Sequence, residues 1–158
     1  MTELRFGLTA PVSCSYLPPQ QEQLVFLLPE QPLNAALYQQ LLAVNFRRSA
    51  EQVYTPHCPA CRACQSVRIA PTVFKPSRSQ RRLLKKASHA AWYYQLDDDI
   101  HQDYYPLFAA YIQHKHRDGS MFPPSPEQLS SMLHCSWLKV RLLKQFYQNE
   151  LVAITIVD

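Results

Sequence analysis

The sequence predicts an α+β fold, because helical and strand-like segments both occur along its 158 residues. Apolar residues make up 47% of the chain, which suits a globular core. Capping signals indicate where helices start, and runs of β-branched and aromatic residues predict strands. A chain of this length forms one domain of ordinary size or two very small ones.

The first half of the chain combines short strands with two capped helices. Residues 1–32 are rich in proline and include the strand-like run Gln23–Leu28. Asn34 can cap a helix from Ala35 to about Val44. Ser66 to Phe74 alternates as a strand does, and its internal proline confines that strand to an edge or a bulge.

A basic helix is predicted next, followed by another strand. Ser77 and Gln80 form an S-x-x-Q capping box, which predicts a helix from Arg78 to about Ala87. Ala91 to Leu96 then has the composition of a strand.

Two more helices and two strands are predicted in the remaining residues. A helix from Asp103 to about Lys115 would bury a stripe formed by Tyr104, Leu107, Phe108 and Tyr111. Capping residues at Ser125, Pro126 and Gln128 predict a short helix through about His134. Strands at Trp137–Tyr147 and Leu151–Val157 would be joined by a turn at Gln148–Glu150. The chain stops directly after this apolar strand, which suggests that a C-terminal part is absent.

Positive charge is concentrated in one stretch, although the net charge is only +4. No acidic residue occurs between Glu51 and Asp97. That window contains Arg62, Arg68, Lys75, Arg78, Arg81, Arg82, Lys85 and Lys86. A block of one sign attracts polyanions such as nucleic acid. The alternative is a solvated basic face without a partner.

Composition excludes several functional classes. With only 2 glycines, the chain has neither a dinucleotide fingerprint nor a phosphate-binding Walker loop, so no nucleotide cofactor is expected. No apolar run approaches the roughly 20 residues that span a bilayer, so no membrane partner is expected. The N-terminus lacks a basic segment followed by an apolar core, which predicts a cytosolic protein rather than a secreted one.

A cluster of cysteines predicts a metal centre. Cys58, Cys61 and Cys64 form a C-x-x-C-x-x-C pattern, and thiolates at this spacing can turn inward on one metal ion or cluster. Zn²⁺ and an iron–sulfur cluster both suit these ligands. The candidates for a fourth ligand are Cys14 first, then His57, and last Cys135. Buried free cysteines are the alternative interpretation.

Several blocks of this sequence resemble the arginyl-tRNA–protein transferases, and most closely their bacterial branch, the aspartate/glutamate leucyltransferases. The resemblance rests on Cys14-Ser15-Tyr16-Leu17, Phe46-Arg47-Arg48-Ser49, Tyr54-x-Pro56-x-Cys58-x-x-Cys61-x-x-Cys64, Val67-Arg68, Phe74-x-Pro76-Ser77-Arg78-Ser79-Gln80-Arg81-Arg82 and His116-Arg117-Asp118-Gly119-Ser120-Met121. The family usually has glycine at the positions of Asn45 and Ala50, and arginine at that of Lys115. Asparagine tolerates a positive φ, whereas alanine fits a left-handed position poorly.

The resemblance implies two domains. Residues 1–96 would form the family's N-terminal Cys-rich and basic domain. Residues 97–158 would begin an acyltransferase-like domain of the N-acetyltransferase (GNAT) type.

The resemblance also implies an aminoacyl transfer. Leucine would pass from leucyl-tRNA to a protein whose N-terminal residue is Asp or Glu, which marks that protein for degradation by the N-end rule pathway. Arg47, Arg48 and Arg78 are the candidates for binding the acceptor carboxylate, because arginine binds carboxylates bidentately. The candidates for binding tRNA phosphates are Arg81, Arg82, Lys85 and Lys86. His116 is the candidate for a catalytic base, although a lone histidine is more often structural.

Two other classes of function stay open from the sequence. One is a non-catalytic module in which a metal knuckle and a basic helix bind RNA. The other is an inactive fragment that folds only with its missing half.

Overall fold

Helices and antiparallel sheets confirm the α+β prediction. A computed structural model describes residues 3–28, 30, 32–98 and 104–158, apart from the side chain of residue 89. Within these ranges the strands are β1 (Phe6–Leu8), β2 (Val12–Ser13), β3 (Gln21–Glu22), β4 (Leu24–Leu27), β5 (Arg47–Ser49), β6 (Gln52–Pro56), β7 (Trp92–Asp97), β8 (Arg141–Tyr147) and β9 (Glu150–Val157). The helices are α1 (Ala35–Ala43), α2 (Arg78–His89), α3 (Tyr105–Lys115) and α4 (Pro126–Leu133).

The chain packs as two units, whose boundaries differ from the predicted division after residue 96. The first unit contains Met1–Ser66 and Ser130–Leu138, and the second contains Val67–Leu129 and Lys139–Asp158. The boundary differs because β7 pairs with β8 along its whole length, which joins residues 92–97 to the later part of the chain.

The first unit is built on an antiparallel sheet of four short strands in the order β1-β4-β6-β5, beside a small β2-β3 ribbon. Its core consists of Leu27, Tyr38, Leu41 and Val53. Helix α1 covers this core and begins as predicted at Asn34, whose Oδ1 accepts the backbone N–H of Leu37 at 2.9 Å.

A segment from late in the sequence completes the first unit. Trp137 packs edge-on against Tyr38, with ring centroids 5.3 Å apart. The carboxylate of Glu51 accepts hydrogen bonds from the Ser136 backbone N–H and hydroxyl, at 2.6 and 2.9 Å. The predicted strand Trp137–Tyr147 is therefore wrong in its first residues, because Trp137 belongs to this core and β8 begins only at Arg141.

The second unit is built on the antiparallel sheet β7-β8-β9, with a register shift between Gln145 and Phe146. The predicted turn between the last two strands is confirmed. Gln148 and Asn149 both have positive φ, at 50° and 68°, as tight hairpin turns require. Ser125 and Gln128 form the predicted cap, since each side chain accepts a backbone N–H of the other residue.

Two predictions in the second unit are wrong. Residues 66–74, all of which the structure describes, contain no strand and are exposed, because Pro71 interrupts them and no strand pairs with them. In the stripe predicted for α3, Tyr111 is exposed and Ile112 is fully buried instead. The predicted helix start at Asp103 lies outside the described residues.

No helix in the described residues is both long enough and apolar enough to cross a membrane.

Two residues of the first unit adopt left-handed backbone conformations. The φ angles of Asn45 and Ala50 are 72° and 51°, at the two positions where the resemblance implies glycine. Asparagine tolerates this region, but an alanine there costs roughly 1–2 kcal/mol. Ala50 lies in the tight turn between β5 and β6.

Replacing Ala50 by glycine is expected to raise the free energy of unfolding by about 0.5–1 kcal/mol, because the strain exceeds the extra entropy of the unfolded glycine. Chemical denaturation measures the change. Ala110→Gly, in the exposed middle of α3, is the control and should lower stability by about 1 kcal/mol. A loss of stability in both variants would contradict the strain at Ala50.

Candidate nucleic-acid and acceptor sites

Helix α2 presents a continuous basic surface. The predicted capping box is present, since Ser77 Oγ accepts the N–H of Gln80 at 3.2 Å and Gln80 Oε1 accepts the N–H of Ser77 at 2.7 Å. The predicted phosphate-binding residues Arg81, Arg82, Lys85 and Lys86 are all exposed, as is Arg78. Arg78, Arg81, Arg82 and Lys85 recur every three or four residues, so they follow one side of the helix.

The neighbouring face of α2 is apolar and turns toward the sheet of the second unit. Leu84, Ala87 and Ser88 line a cavity of about 550 Å³ together with residues of β7 and β8. The residues on the strands are Trp92, Tyr93, Tyr94, Leu143 and Gln145. The sequence analysis did not assign these aromatic residues to a site. The feature that could have indicated one is the run Trp92-Tyr93-Tyr94, which comes shortly after the basic helix.

The two candidate acceptor arginines on β5 have different surroundings. Arg47 is exposed, and its guanidinium carbon lies 5.9 Å from the centre of the Tyr54 ring. Arg48 is half-buried, and its Nη1 donates a hydrogen bond of 2.8 Å to the carbonyl of Ala50. Because successive strand residues point to opposite faces, the two side chains are not placed to bind one carboxylate together. Arg78 lies in the second unit.

The cysteine loop does not form a metal site in the conformation described. Cys58 is buried, Cys14 and Cys61 are half-buried, and Cys64 is exposed. The Sγ of Cys14 accepts the N–H of Leu17 at 3.4 Å. In the described parts of the chain, no group of three His, Cys, Asp or Glu side chains is placed to hold a metal ion.

Hydrogen bonds from Arg62 connect two residues of the cysteine loop. Arg62 Nη1 donates to the carbonyls of Cys58 and Cys61, at 2.6 and 3.2 Å. Binding one metal ion would require the three thiols to approach one another more closely than they do in this conformation. The C-x-x-C-x-x-C spacing allows this in a loop without regular structure.

Metal binding by Cys58, Cys61 and Cys64 stays a prediction that elemental analysis and an optical spectrum can test. Protein purified without oxygen should contain one metal centre, and Cys61→Ser should lose most of it because a hydroxyl is a poor substitute for a thiolate. Ala60→Ser is the control, since it adds a hydroxyl at an exposed position of the same loop and removes no thiolate. Normally folded protein without metal would contradict the prediction.

His116 has a local structural role in the second unit. It caps the C-terminus of α3 with its backbone N–H bonded to the carbonyl of Ile112 at 2.9 Å. Its ring lies edge-on to that of Tyr111, and its Nε2 is 3.0 Å from the tyrosine hydroxyl. Its role as a catalytic base stays a prediction.

A buried ion pair in the second unit was not assigned from the sequence. Lys144 on β8 is only 8% exposed, and its Nζ lies 2.5 Å from Asp97 Oδ2 on β7 and 3.3 Å from the Tyr104 hydroxyl. The hydrogen bond from Lys144 to Asp97 raises the pKa of the lysine. The sequence feature that could have indicated it is the position of Lys144, two residues after Leu142 on the same strand and therefore on the same buried face.

Comparison with known proteins identifies the family. Residues 12–82 match the family model for the N terminus of arginine-tRNA-protein transferase. The chain is 44% identical over 161 aligned positions to the aspartate/glutamate leucyltransferase of Aeromonas hydrophila subsp. hydrophila, covering 100% of this chain and 67% of that protein.

Proteins of the same name in other bacteria give similar matches. The one in Pseudoalteromonas atlantica is 41% identical, covering 98% of this chain and 66% of the relative. The one in Vibrio cholerae is 38% identical, covering 99% and 66%. No solved structure matches the chain. The matches over the full length of this chain show that it belongs to the aspartate/glutamate leucyltransferase family of aminoacyltransferases.

Proposed function

We propose that this chain transfers leucine from leucyl-tRNA to the N-terminal Asp or Glu of acceptor proteins. The observation that carries this proposal is the 44% identity, along the whole chain, to a protein named aspartate/glutamate leucyltransferase. The product would carry a new N-terminal leucine, which marks it for degradation by the N-end rule pathway. The reaction would take place in the cytoplasm, where charged tRNA is available.

The chemistry requires little beyond positioning. The neutral α-amino nitrogen of the acceptor attacks the carbonyl carbon of the leucyl ester. A carbon–nitrogen bond forms, and the carbon–oxygen bond to the terminal ribose breaks. The amine gives up one proton, and the ribose oxygen leaves as a hydroxyl. Because the ester is already activated, holding both substrates in line supplies much of the acceleration.

The tRNA would bind along α2. Its basic residues lie along one helical side and are exposed, so they can contact successive phosphates without rearrangement of the helix. The segment from residue 52 to residue 96 contains no carboxylate to oppose this binding. Electrostatic contacts of this kind hold the tRNA but do not select its sequence.

The acceptor carboxylate would bind to Arg47 rather than to Arg48. The Arg47 guanidinium is exposed and lies above the Tyr54 ring, which leaves its donors accessible to a ligand. Arg48 donates to the carbonyl of Ala50 and thereby supports the turn that contains that strained residue. We therefore assign Arg47 to the acceptor and Arg48 to the turn, with Arg78 as a further candidate.

We also propose that the second unit contains the start of an acyltransferase-like domain of the GNAT type. An antiparallel meander of β7, β8 and β9 with helices beside it is compatible with such a domain. In this proposal the sheet provides the surface on which the aminoacyl end of the tRNA is placed.

The salt dependence of tRNA binding tests the donor site. Arg81→Ala and Lys85→Ala should each weaken binding for every tRNA tested and should flatten the slope of log K against log salt by about 0.9. Arg5→Ala, an exposed arginine of the first unit, is the control and should leave the slope unchanged. If the salt slope is unchanged in all three variants, the proposal that tRNA binds along α2 is contradicted. Binding of many RNAs without transfer activity would instead favour a non-catalytic RNA-binding module.

A further inference from the structure

We propose that Trp92 and Tyr94 form a stacking surface for the unpaired bases at the 3′ end of the tRNA. We call these two residues the aromatic platform. This inference rests on the proposed function, because it assigns a subsite for the donor that the function requires. The single-stranded end of an aminoacyl-tRNA carries the reactive ester, so its position determines where transfer occurs.

The two side chains share one face of the sheet. Trp92 and Tyr94 are two residues apart on β7, so they point to the same side. Their partners on β8 are Tyr147 and Gln145. The rings of Trp92 and Tyr147 lie 5.0 Å apart, which fixes the indole at one end of the platform. Trp92 is 45% exposed and Tyr94 is 79% exposed.

The opposite face of the same sheet provides the core. Leu142 is fully buried and Lys144 is 8% exposed, and both alternate with the residues that face the platform. Tyr93 stacks on Phe146 with ring centroids 4.7 Å apart, on the side away from Trp92 and Tyr94. Tyr93 is itself 45% exposed, so β7 is open on both faces. The platform is therefore distinguished by its position beside α2, where Trp92 and Tyr94 line one cavity with Leu84, and not by exposure alone.

Positive charge lies directly beside the platform. The residues of α2 that line the cavity, Leu84, Ala87 and Ser88, follow one side of the helix. Arg81 lies three residues before Leu84, and Lys85 directly follows Leu84, so the basic side of α2 borders the side that lines the cavity. A single RNA strand whose phosphates contact this basic side would have its bases turned toward the sheet.

The cavity between α2 and the sheet has the dimensions of a ligand site. Its volume is about 550 Å³, within the range of roughly 300–1,000 Å³ that is common for small-molecule pockets. Its lining is mainly apolar and aromatic. Such surfaces suit the planes of nucleobases and the leucyl side chain better than they suit charged groups.

Single-stranded RNA fits this combination better than the other occupants. Proteins that bind single strands pair a positive groove with exposed aromatic rings, because every base offers a face for stacking. An A-form duplex would keep its bases stacked within the helix, where the rings could not reach them. A second copy of this chain would bring another basic helix to the same positive surface.

Affinity measurements with intact and shortened tRNA test the proposal. The probes are uncharged leucine tRNA and the same tRNA without its single-stranded 3′ nucleotides. Tyr94→Ala should weaken binding of the intact tRNA by roughly five- to 150-fold, the range for the loss of one stacked base. It should leave binding of the shortened tRNA, and the salt slope for both, unchanged. Tyr94→Phe should bind as the unchanged chain does, because stacking needs the ring and not the hydroxyl.

Two controls separate stacking from general damage. Tyr16→Ala removes a tyrosine that is 77% exposed in the first unit, and it should change neither affinity. Intact tRNA should quench the tryptophan emission of the unchanged chain, and Trp92→Phe should remove most of that quenching. Thermal denaturation of each variant shows whether its fold is kept.

The outcomes distinguish this inference from the proposed function. If the unchanged chain binds no tRNA, the proposed function and this inference both fail. If it binds both tRNAs equally, and Tyr94→Ala has no effect, only the platform is overturned. If Tyr94→Ala instead abolishes self-association seen by light scattering and leaves tRNA affinity unchanged, the face binds a second copy and the proposal is overturned.

Discussion

Replacing Asp97 by asparagine is expected to lower the free energy of unfolding by about 3–5 kcal/mol. Lys144 is nearly buried on β8, and Asp97 Oδ2 lies 2.5 Å from its Nζ. The asparagine keeps the size of the side chain but removes its charge. The lysine ammonium is then buried without this carboxylate, and the cost of removing it from water is no longer offset. Chemical denaturation at neutral pH measures the loss.

The neighbouring aspartate provides a matched control. Asp98 is exposed and binds Lys139 and Arg141 at 2.5 and 2.6 Å. Asp98→Asn should have a much smaller effect, because exposed ion pairs are screened by water. The double variant Asp97→Asn with Lys144→Met should recover much of the stability, since an apolar side chain suits the buried position. Equal losses in Asp97→Asn and Asp98→Asn would show that Lys144 does not depend on Asp97.

The same ion pair predicts a pH dependence. The hydrogen bond to Asp97 raises the pKa of Lys144 above its ordinary value of 10.5. Its contribution to stability is therefore complete below pH 10.5 and is lost as the pH rises through the higher folded-state pKa. The unchanged chain should lose this contribution only in strongly alkaline solution, and Asp97→Asn should lack it at every pH.

Replacing Arg47 by alanine is expected to lower kcat/KM for peptides that begin with Asp or Glu by roughly ten- to 150-fold. Because the Arg47 guanidinium is exposed, its loss removes charge-assisted hydrogen bonds to the carboxylate, worth about 1.5–3 kcal/mol, without leaving a deeply buried charge. The affinity for tRNA should stay unchanged, because the basic residues of α2 are intact. Lysine at the same position should restore only part of the activity, since it cannot form two parallel hydrogen bonds.

Arg48 is the internal control for this assignment. Its guanidinium donates to the carbonyl of Ala50, so Arg48→Ala should lower the melting temperature and impair the use of tRNA and peptide together. Kinetics with each substrate, measured beside melting curves, separate the two roles. A selective loss of peptide use in Arg48→Ala, with Arg47→Ala active, would reverse the assignment.

The helices were predictable because their signals are local. Asn34, Ser77 with Gln80, and Ser125 with Gln128 mark three helix starts, and the structure shows the hydrogen bonds at each of them. A capping residue bonds to the backbone only two or three positions away, so tertiary packing rarely changes its role. The basic surface of α2 was predictable for the same reason.

Features that depend on distant residues were not predictable. Residues 66–74 alternate like a strand, but no strand pairs with them. Trp137 belongs to the core that contains Tyr38, although its neighbours continue into β8. The ion pair of Lys144 with Asp97 joins residues 47 positions apart. The aromatic platform depends on strand pairing and on the position of α2, which a single sequence does not give.

One measurement tests the proposed transfer most directly. Purified chain is incubated with leucyl-tRNA charged with labelled leucine and with peptides that differ only in an N-terminal Asp, Glu or Ala. We predict that label enters the Asp and Glu peptides, that each gains the mass of one leucyl residue at its N-terminus, and that the Ala peptide is unchanged. Binding of leucyl-tRNA with no label in any peptide, or equal labelling of all three, would contradict the proposed function.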